Sequence, residues 1–216
     1  MGSNSVEKRI LDAALDVVSE NSISNTRMHL IADKARMVQS NVHYYFKTKR
    51  ELMMALLKKM HQNFWELRHN VVDCQAEGLQ NKLIGFYSQK KDLIINQAKY
   101  DRAQFDFWCQ GQSDPEINRL FAASYSDWRA HICRVLVEWE PELTPERANL
   151  IASSMVSLMM GASLQYLNNP DAFDLDDYFE LCLEMTMKIL GEEMAPLESK
   201  PAFDGRASDK WSETEI

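Results

Sequence analysis

The chain has 216 residues, a net charge of −8, 45% hydrophobic residues and only seven Gly and six Pro. That is length for one sizeable core, or for a small domain joined to a larger one, and the scarcity of Gly and Pro argues against a strand-and-turn architecture. No cleavable apolar leader is read at its start, and no apolar run is expected to reach the roughly 18 residues of a membrane helix.

The acid excess is unevenly placed. Residues 1–50 hold eight Lys/Arg against five Asp/Glu, a net +3, so the remainder carries −11. One end can approach phosphate while the other repels it.

In chain order, Ile10, Leu11, Ala14, Val17 and Val18 recur at spacings of three and four and predict a first helix over 5–20, ended by the polar residues 21–25. A second helix is expected over 27–35, with Thr26 as its N-cap and Met28, Ile31, Ala32 and Ala35 inside. After a turn at Arg36, Met37 and Val38 comes a third helix over 39–45, with Phe46 plugging the core. Thr48 followed by Glu51 forms a capping box and opens a long fourth helix reaching about residue 72. Further helices are expected over 79–97, 100–112, 115–139, 145–168 and 175–192. Asp114-Pro115, Thr144-Pro145 and Asp174 mark three of the starts. No strand pattern and no internal repeat is read. Residues 196–216 lack periodicity and are expected to be a disordered tail.

Residues 26–50 are the most informative segment. They contain six Lys or Arg and a single acid, Asp33, for a local charge of +5. Two short helices joined by a tight turn, with polar and aromatic side chains on the second, are what a major-groove reader needs. Gln39 and Asn41 can each donate to and accept from an adenine edge, with Ser40 and His43 beside them. Tyr44 and Tyr45 can bring hydroxyls to phosphate or stack on sugar and the thymine methyl, and core packing of Tyr45 is an equal reading. Lys47 and Lys49 flank the start of helix four, where backbone N–H groups already favour phosphate. Thr26, Arg27 and His29, at helix two, complete the expected DNA-binding set.

The pattern Thr26-x4-Ile31-Ala32-x2-Ala35, then Val42-His43-Tyr44-Tyr45-Phe46-x2-Lys49-x-Glu51-Leu52, resembles the signature of the tetracycline-repressor (TetR) family of bacterial regulators. The resemblance implies an N-terminal three-helix DNA-binding domain followed by a divergent helical domain that binds an effector and dimerises. Arg36 stands where the family usually has Gly. Should that residue need a left-handed backbone, Arg costs about 1–2 kcal/mol there. His43 stands where Tyr is usual and Ser40 where a small residue, often Gly, is usual.

The aromatic stretch 100–132 is the expected effector pocket. Phe105, Trp108, Cys109 and Gln112 share one face of their helix; Phe121, Tyr125, Trp128 and Ile132 form a stripe on the next, with Arg129 and Asp106 as polar company. Plain core packing explains such stripes equally simply. The segment 105–129 is also similar to the choline-responsive betaine regulators of the same family. That likeness implies a small cation held by aromatic faces, while Arg129 and the many Met residues fit an acidic or amphipathic ligand. The two C-terminal helices are the expected dimer surface, through Ser154, Leu158, Gly161 and Ala162 on one and Tyr178, Cys182, Met185 and Ile189 on the other. A two-fold dimer would set its recognition helices about 34–36 Å apart or somewhat more, and so predicts a palindromic operator.

The expectation is therefore an all-α chain. Residues 1–47 form a helix-turn-helix domain, 48–195 an effector-binding and dimerisation domain, and 196–216 a tail. The expected activity is ligand-responsive repression by a cytoplasmic homodimer, with double-stranded operator DNA and a small molecule as partners, no membrane, no cofactor and no metal. A constitutive helix-turn-helix protein without ligand is the alternative. An enzyme is the remaining class, supported only by scattered His61, His69 and His131 with Asp101 or Asp106. Cys74, Cys109, Cys133 and Cys182 form no CxxC pair and are expected to be reduced and mostly buried.

Overall fold

The computed structural model describes residues 2–72, 78–192 and 194. Nine helices and no strand occur among them: α1 Gly2–Asn25, α2 Met28–Lys34, α3 Gln39–Tyr45, α4 Lys49–Val72, α5 Leu79–Asn96, α6 Ala98–Gly111, α7 Pro115–Trp139, α8 Pro145–Asn168 and α9 Leu175–Leu190. The all-α expectation holds. The expected tail at 196–216, and Cys74, lie outside the described residues.

The chain divides into two compact units. The first holds the described residues up to Phe64 together with Ala98–Ser124; the second holds Trp65–Gln97 and the residues from Tyr125 onward. The boundary expected at 47/48 thus falls inside the first unit, and α6 with the start of α7 belongs to that unit too. α4 and α7 each pass from one unit to the other without interruption.

In the first unit α1 buries Ile10, Leu11, Ala14, Leu15, Val17 and Val18. Its apparent length hides a break: Ser22 has φ 66 and ψ 160, so the helix proper ends at the polar residues that sequence marks. The break is held by Thr26, whose N–H (3.1 Å) and hydroxyl (2.7 Å) both donate to the Ser22 carbonyl. The neighbouring Ile23 N–H donates to the Asp106 carboxylate of α6. Thr26 is therefore not the N-cap of α2, a position Arg27 occupies without a side-chain cap bond. Its hydroxyl is spent on the preceding turn.

α6 lies on α1, with Tyr100, Ala103, Gln104, Phe107 and Gly111 buried. Tyr100 accepts a hydrogen bond from the Asn63 amide (3.2 Å) and meets Phe64 edge-on. Asp114 caps α7, accepting from the backbone N–H groups of Glu116 and Ile117, and also takes the Arg50 guanidinium.

The second unit packs α5, α8, α9 and the C-terminal part of α7 around Leu83, Phe86, Tyr87, Ile132, Leu136, Met155, Met159, Phe179 and Leu183. Tyr87 is fully buried; its hydroxyl shares a 3.0 Å hydrogen bond with Thr186, and burial pushes its pKa well above the usual value. Thr144 and Asp174 cap α8 and α9 as the sequence predicts. α8 departs from one expectation: it has 24 residues and contains an 18-residue window of mean hydropathy 1.4, so by length and composition alone it is long and apolar enough to cross a membrane. Buried Ala, Ile, Met and Val on one face and Leu150, Leu158 and Leu164 off it make up that apolar content. Of the cysteines, Cys182 is buried, Cys133 half-buried and Cys109 exposed, so the expectation of mostly buried thiols fails at Cys109.

Candidate functional site

α2 and α3 are joined by a turn in which Arg36 takes φ 53, the left-handed conformation that favours glycine. Its N–H donates to the Asp33 carbonyl (3.0 Å) and the Met37 N–H to the Ala32 carbonyl (2.9 Å), closing the end of α2. α3 is fixed from behind by Val42 and Phe46, both buried. Everything else on α3 faces outward or is half-buried. Gln39, Ser40 and Asn41 are exposed, Tyr44 is 74% exposed, and His43 and Tyr45 are half-buried.

The outward residues are organised. Gln39 Nε2 and His43 Nε2 lie 3.3 Å apart, one helical turn along. Tyr44 and Tyr45 meet edge-to-face at 5.3 Å, and the Lys47 ammonium sits 5.6 Å over the Tyr44 ring while donating to the Tyr44 carbonyl. The capping box forms in a shifted version: Thr48 Oγ1 accepts from the Glu51 N–H (3.1 Å), but the Glu51 carboxylate reaches back to the Lys47 N–H (2.9 Å). Lys49 leans across to the Ser24 carbonyl at 3.3 Å. Burial, and then the nearby Arg27 charge, lower its pKa from the usual lysine value. Arg27 Nη1 donates to the same Ser24 carbonyl at 3.1 Å, so the two cations meet at one acceptor. Arg27 and His29 are exposed, whereas Thr26 is 0% exposed and offers DNA no atom.

Sequence reasoning missed Val38, 63% exposed at the N-cap of α3, where a branched apolar side chain can meet a thymine methyl. It also missed that Lys34 is held by Glu20 at 2.7 Å.

The expected pocket residues divide between the two units. In the first, Trp108, Cys109 and Gln112 are exposed and Phe105 half-buried, while Phe121 is buried edge-on to His61 at 5.3 Å. The face of α6 turned inward is Tyr100, Gln104, Phe107 and Gly111, which sequence reading did not choose. In the second unit Trp128 is buried, with Tyr125 and Arg129 half-buried beside it. Tyr125 and Arg129 line an open-sided cavity of about 190 Å³ with Ser153, Val156, Ser157 and Met160.

On α8, Ser154 is exposed and Leu158 and Gly161 half-buried; on α9, Tyr178 is half-buried and Met185 and Ile189 exposed. Ala162 and Cys182 are buried in the core of the second unit. Leu150, Leu164 and Leu181, each more than half exposed, extend the outer apolar stripe, and Leu150 and Leu181 were not foreseen.

Residues 10–56 match the family model for bacterial regulatory proteins of the tetR family, and residues 99–191 match the model for the C-terminal part of BetI-type transcriptional repressors. The chain belongs to the TetR family. A relative to this TetR-family chain, the HTH-type transcriptional regulator BetI of Cronobacter sakazakii, is 23% identical over 197 residues, covering 87% of this chain and 90% of its own length. Among solved structures, a transcriptional regulator from Saccharomonospora viridis in complex with choline superposes with a TM-score of 0.75 at 16% identity, over 86% of this chain and 97% of that one. FadR from Bacillus subtilis in complex with stearoyl-CoA superposes with a TM-score of 0.70 at 18% identity, over 83% and 96%. At these identities the two structures share the fold. The chain is a DNA-binding transcriptional regulator of the TetR family, BetI type.

Proposed function

We propose that this regulator is a ligand-responsive repressor, acting in the cytoplasm as a homodimer on a palindromic operator. Residues 1–47 are the reader and 48–195 the effector-binding and dimerisation part. The carrying observation is the polarity of α3: Val42 and Phe46 anchor it while Gln39, Ser40, Asn41 and Tyr44 stand clear of the protein. Asn41 and Gln39 read base edges; Arg27, Lys47, Lys49 and the Tyr44 hydroxyl hold phosphate.

Dimerisation is supported by the exposed apolar stripe along α8 and α9, which in an isolated subunit leaves Leu150, Leu164, Leu181, Met185 and Ile189 in water. Ligand response is supported by the choline- and stearoyl-CoA-bound neighbours and by the BetI-type match. A ligand held by the helical body can act on the reader through α4, which begins three residues after Phe46 and continues for 24 residues.

The test is selection of bound DNA from a random duplex pool, followed by gel-shift titration with and without candidate effectors. A palindromic consensus bound at two subunits per site supports the reading. Recovery of unrelated sequences at equal affinity would remove the specific-repressor function, and operator affinity indifferent to every ligand that binds would remove the sensing half.

A further inference from the structure

This inference rests on the sensor reading and names the chemistry of its ligand. Within the second unit, Arg68 on α4 and Trp128 on α7 are 7% and 8% exposed. The guanidinium carbon lies 5.2 Å from the Trp128 ring centroid. Among the described residues no carboxylate reaches that guanidinium within ion-pair distance; Asp127 and Tyr125 act on it only through space. The buried indole Nε1 of Trp128 likewise has no hydrogen-bond partner. A largely buried cation therefore lies over the face of an indole whose own N–H has no acceptor. Leaving such groups unmatched is unfavourable, and an anion satisfies both at once.

The same two helices carry an aromatic cluster close in sequence to the pair. His131 lies 4.4 Å from His69 and 5.5 Å from Phe86, and Trp65 stacks on His69 at 4.0 Å. Such a wall accepts an apolar body and offers little to a highly charged one. A quaternary ammonium would need an open aromatic face. The Trp128 face already carries the protein's own cation, Arg68.

We infer that Arg68 and Trp128 form the anion-binding end of the effector site, taking the carboxylate of an organic acid whose apolar body rests among His131, His69 and Phe86. The guanidinium supplies a fork of N–H donors matched to carboxylate geometry, and the indole supplies one more. Burial lowers the Arg68 pKa to about 10, which still leaves the side chain charged at neutral pH.

The test uses the full-length protein with four probes, octanoate, benzoate, choline and glycine betaine, read by thermal shift and isothermal titration. Octanoate or benzoate should bind and raise the Tm while choline does neither. Arg68→Gln and the more conservative Trp128→Phe should each weaken the carboxylate's Kd by about tenfold or more. Arg68→Met should raise the Tm of the unliganded protein, because it removes an unpaired buried charge; a purely structural arginine would lower it. Failure of both carboxylates to bind, or unchanged binding in both variants, overturns the inference. Choline binding alone, with altered operator affinity, overturns it while leaving the sensor reading intact. If no probe of either charge binds, the inference falls and the sensor reading is decided by the operator titrations alone.

Discussion

Arg36 shows how a single position trades backbone comfort against charge. Its φ of 53 places an exposed, Cβ-bearing residue in the left-handed region, at a cost of about 1–2 kcal/mol relative to right-handed backbone. Glycine would relieve that strain but adds about 0.5–1 kcal/mol of unfolded-chain entropy. Arg36→Gly is therefore expected to change stability by between about 0 and +1.5 kcal/mol, measured by urea denaturation; a clear loss of stability would show that the Arg side chain makes a compensating contact. Lys49 and Asn41 separate by chemistry in the same way. Lys49→Ala should lower operator affinity nearly equally on all sequences and reduce the salt slope by about one, whereas Asn41→Ala should change which bases are preferred. Gel shifts at two salt concentrations on matched and mismatched operators check both. Uniform loss in both variants would contradict the division into phosphate holders and base readers.

At the scale of helices, Asp114 joins two starts: it caps α7 and binds Arg50 in the first turn of α4, with Glu116 adding a second carboxylate at 2.9 Å from Arg50. The Arg50 guanidinium first, and the Ile117 and Glu116 N–H groups after it, hold the Asp114 carboxyl at about 2, below its usual 3.8. A depressed folded-state pKa stabilises above the unfolded value and is lost as pH falls through the folded one. Asp114→Asn keeps the cap and removes the charge, so its Tm deficit should be present at neutral pH and disappear as pH falls from about 4 to 2. Asp114→Ala should be worse at every pH. A deficit in Asn that persists at pH 2 would mean the ion pair is not its source.

The same helix ends were legible in the sequence because capping is local. Thr144, Asp174, Thr48 and Asp114 declare themselves within four residues, and the nine predicted helices match the observed ones closely. The inner face of α6 was not legible. Phe105, Trp108 and Gln112 make one plausible stripe and Tyr100, Gln104 and Phe107 another at equally good helical spacing, and only the packing of α6 on α1 selects the second. Thr26 misleads for a related reason. A threonine before a helix reads as a cap, yet the left-handed Ser22 presents a carbonyl that takes its hydroxyl first. Arg68 reads as one more solvated charge on a long helix, and its burial depends on neighbours some sixty residues away that no local pattern announces.

For the whole molecule the proposed homodimer makes bivalency the property to test. A chain with net charge −8 and a local charge of +5 in residues 26–50 has one small surface suited to DNA, and its acidic remainder opposes general attachment. Two such surfaces held at operator spacing gain affinity through effective concentration, by about 10²- to 10⁴-fold over either alone. The stripe on α8 and α9 is where that pairing is expected, and Gly161 offers a way to test it apart from folding. A Cβ at Gly161 would meet nothing within 4 Å in the subunit, so the subunit itself gives no steric reason for a glycine in mid-helix. Replacing it should favour the helix by up to about 1 kcal/mol in the isolated subunit. Gly161→Leu should therefore leave subunit stability unchanged or improved while pushing two close-packed helices apart. Met185→Glu, on the exposed face of α9, should do the same by placing a charge in an apolar interface. Light scattering after size exclusion should show both variants as monomers with intact helical circular dichroism. Their affinity for a full palindrome should fall by about a hundredfold or more, towards that for a half-site. If both variants remain dimeric and keep full operator affinity, pairing through α8 and α9 is excluded, and the exposed leucines of those helices serve some other contact.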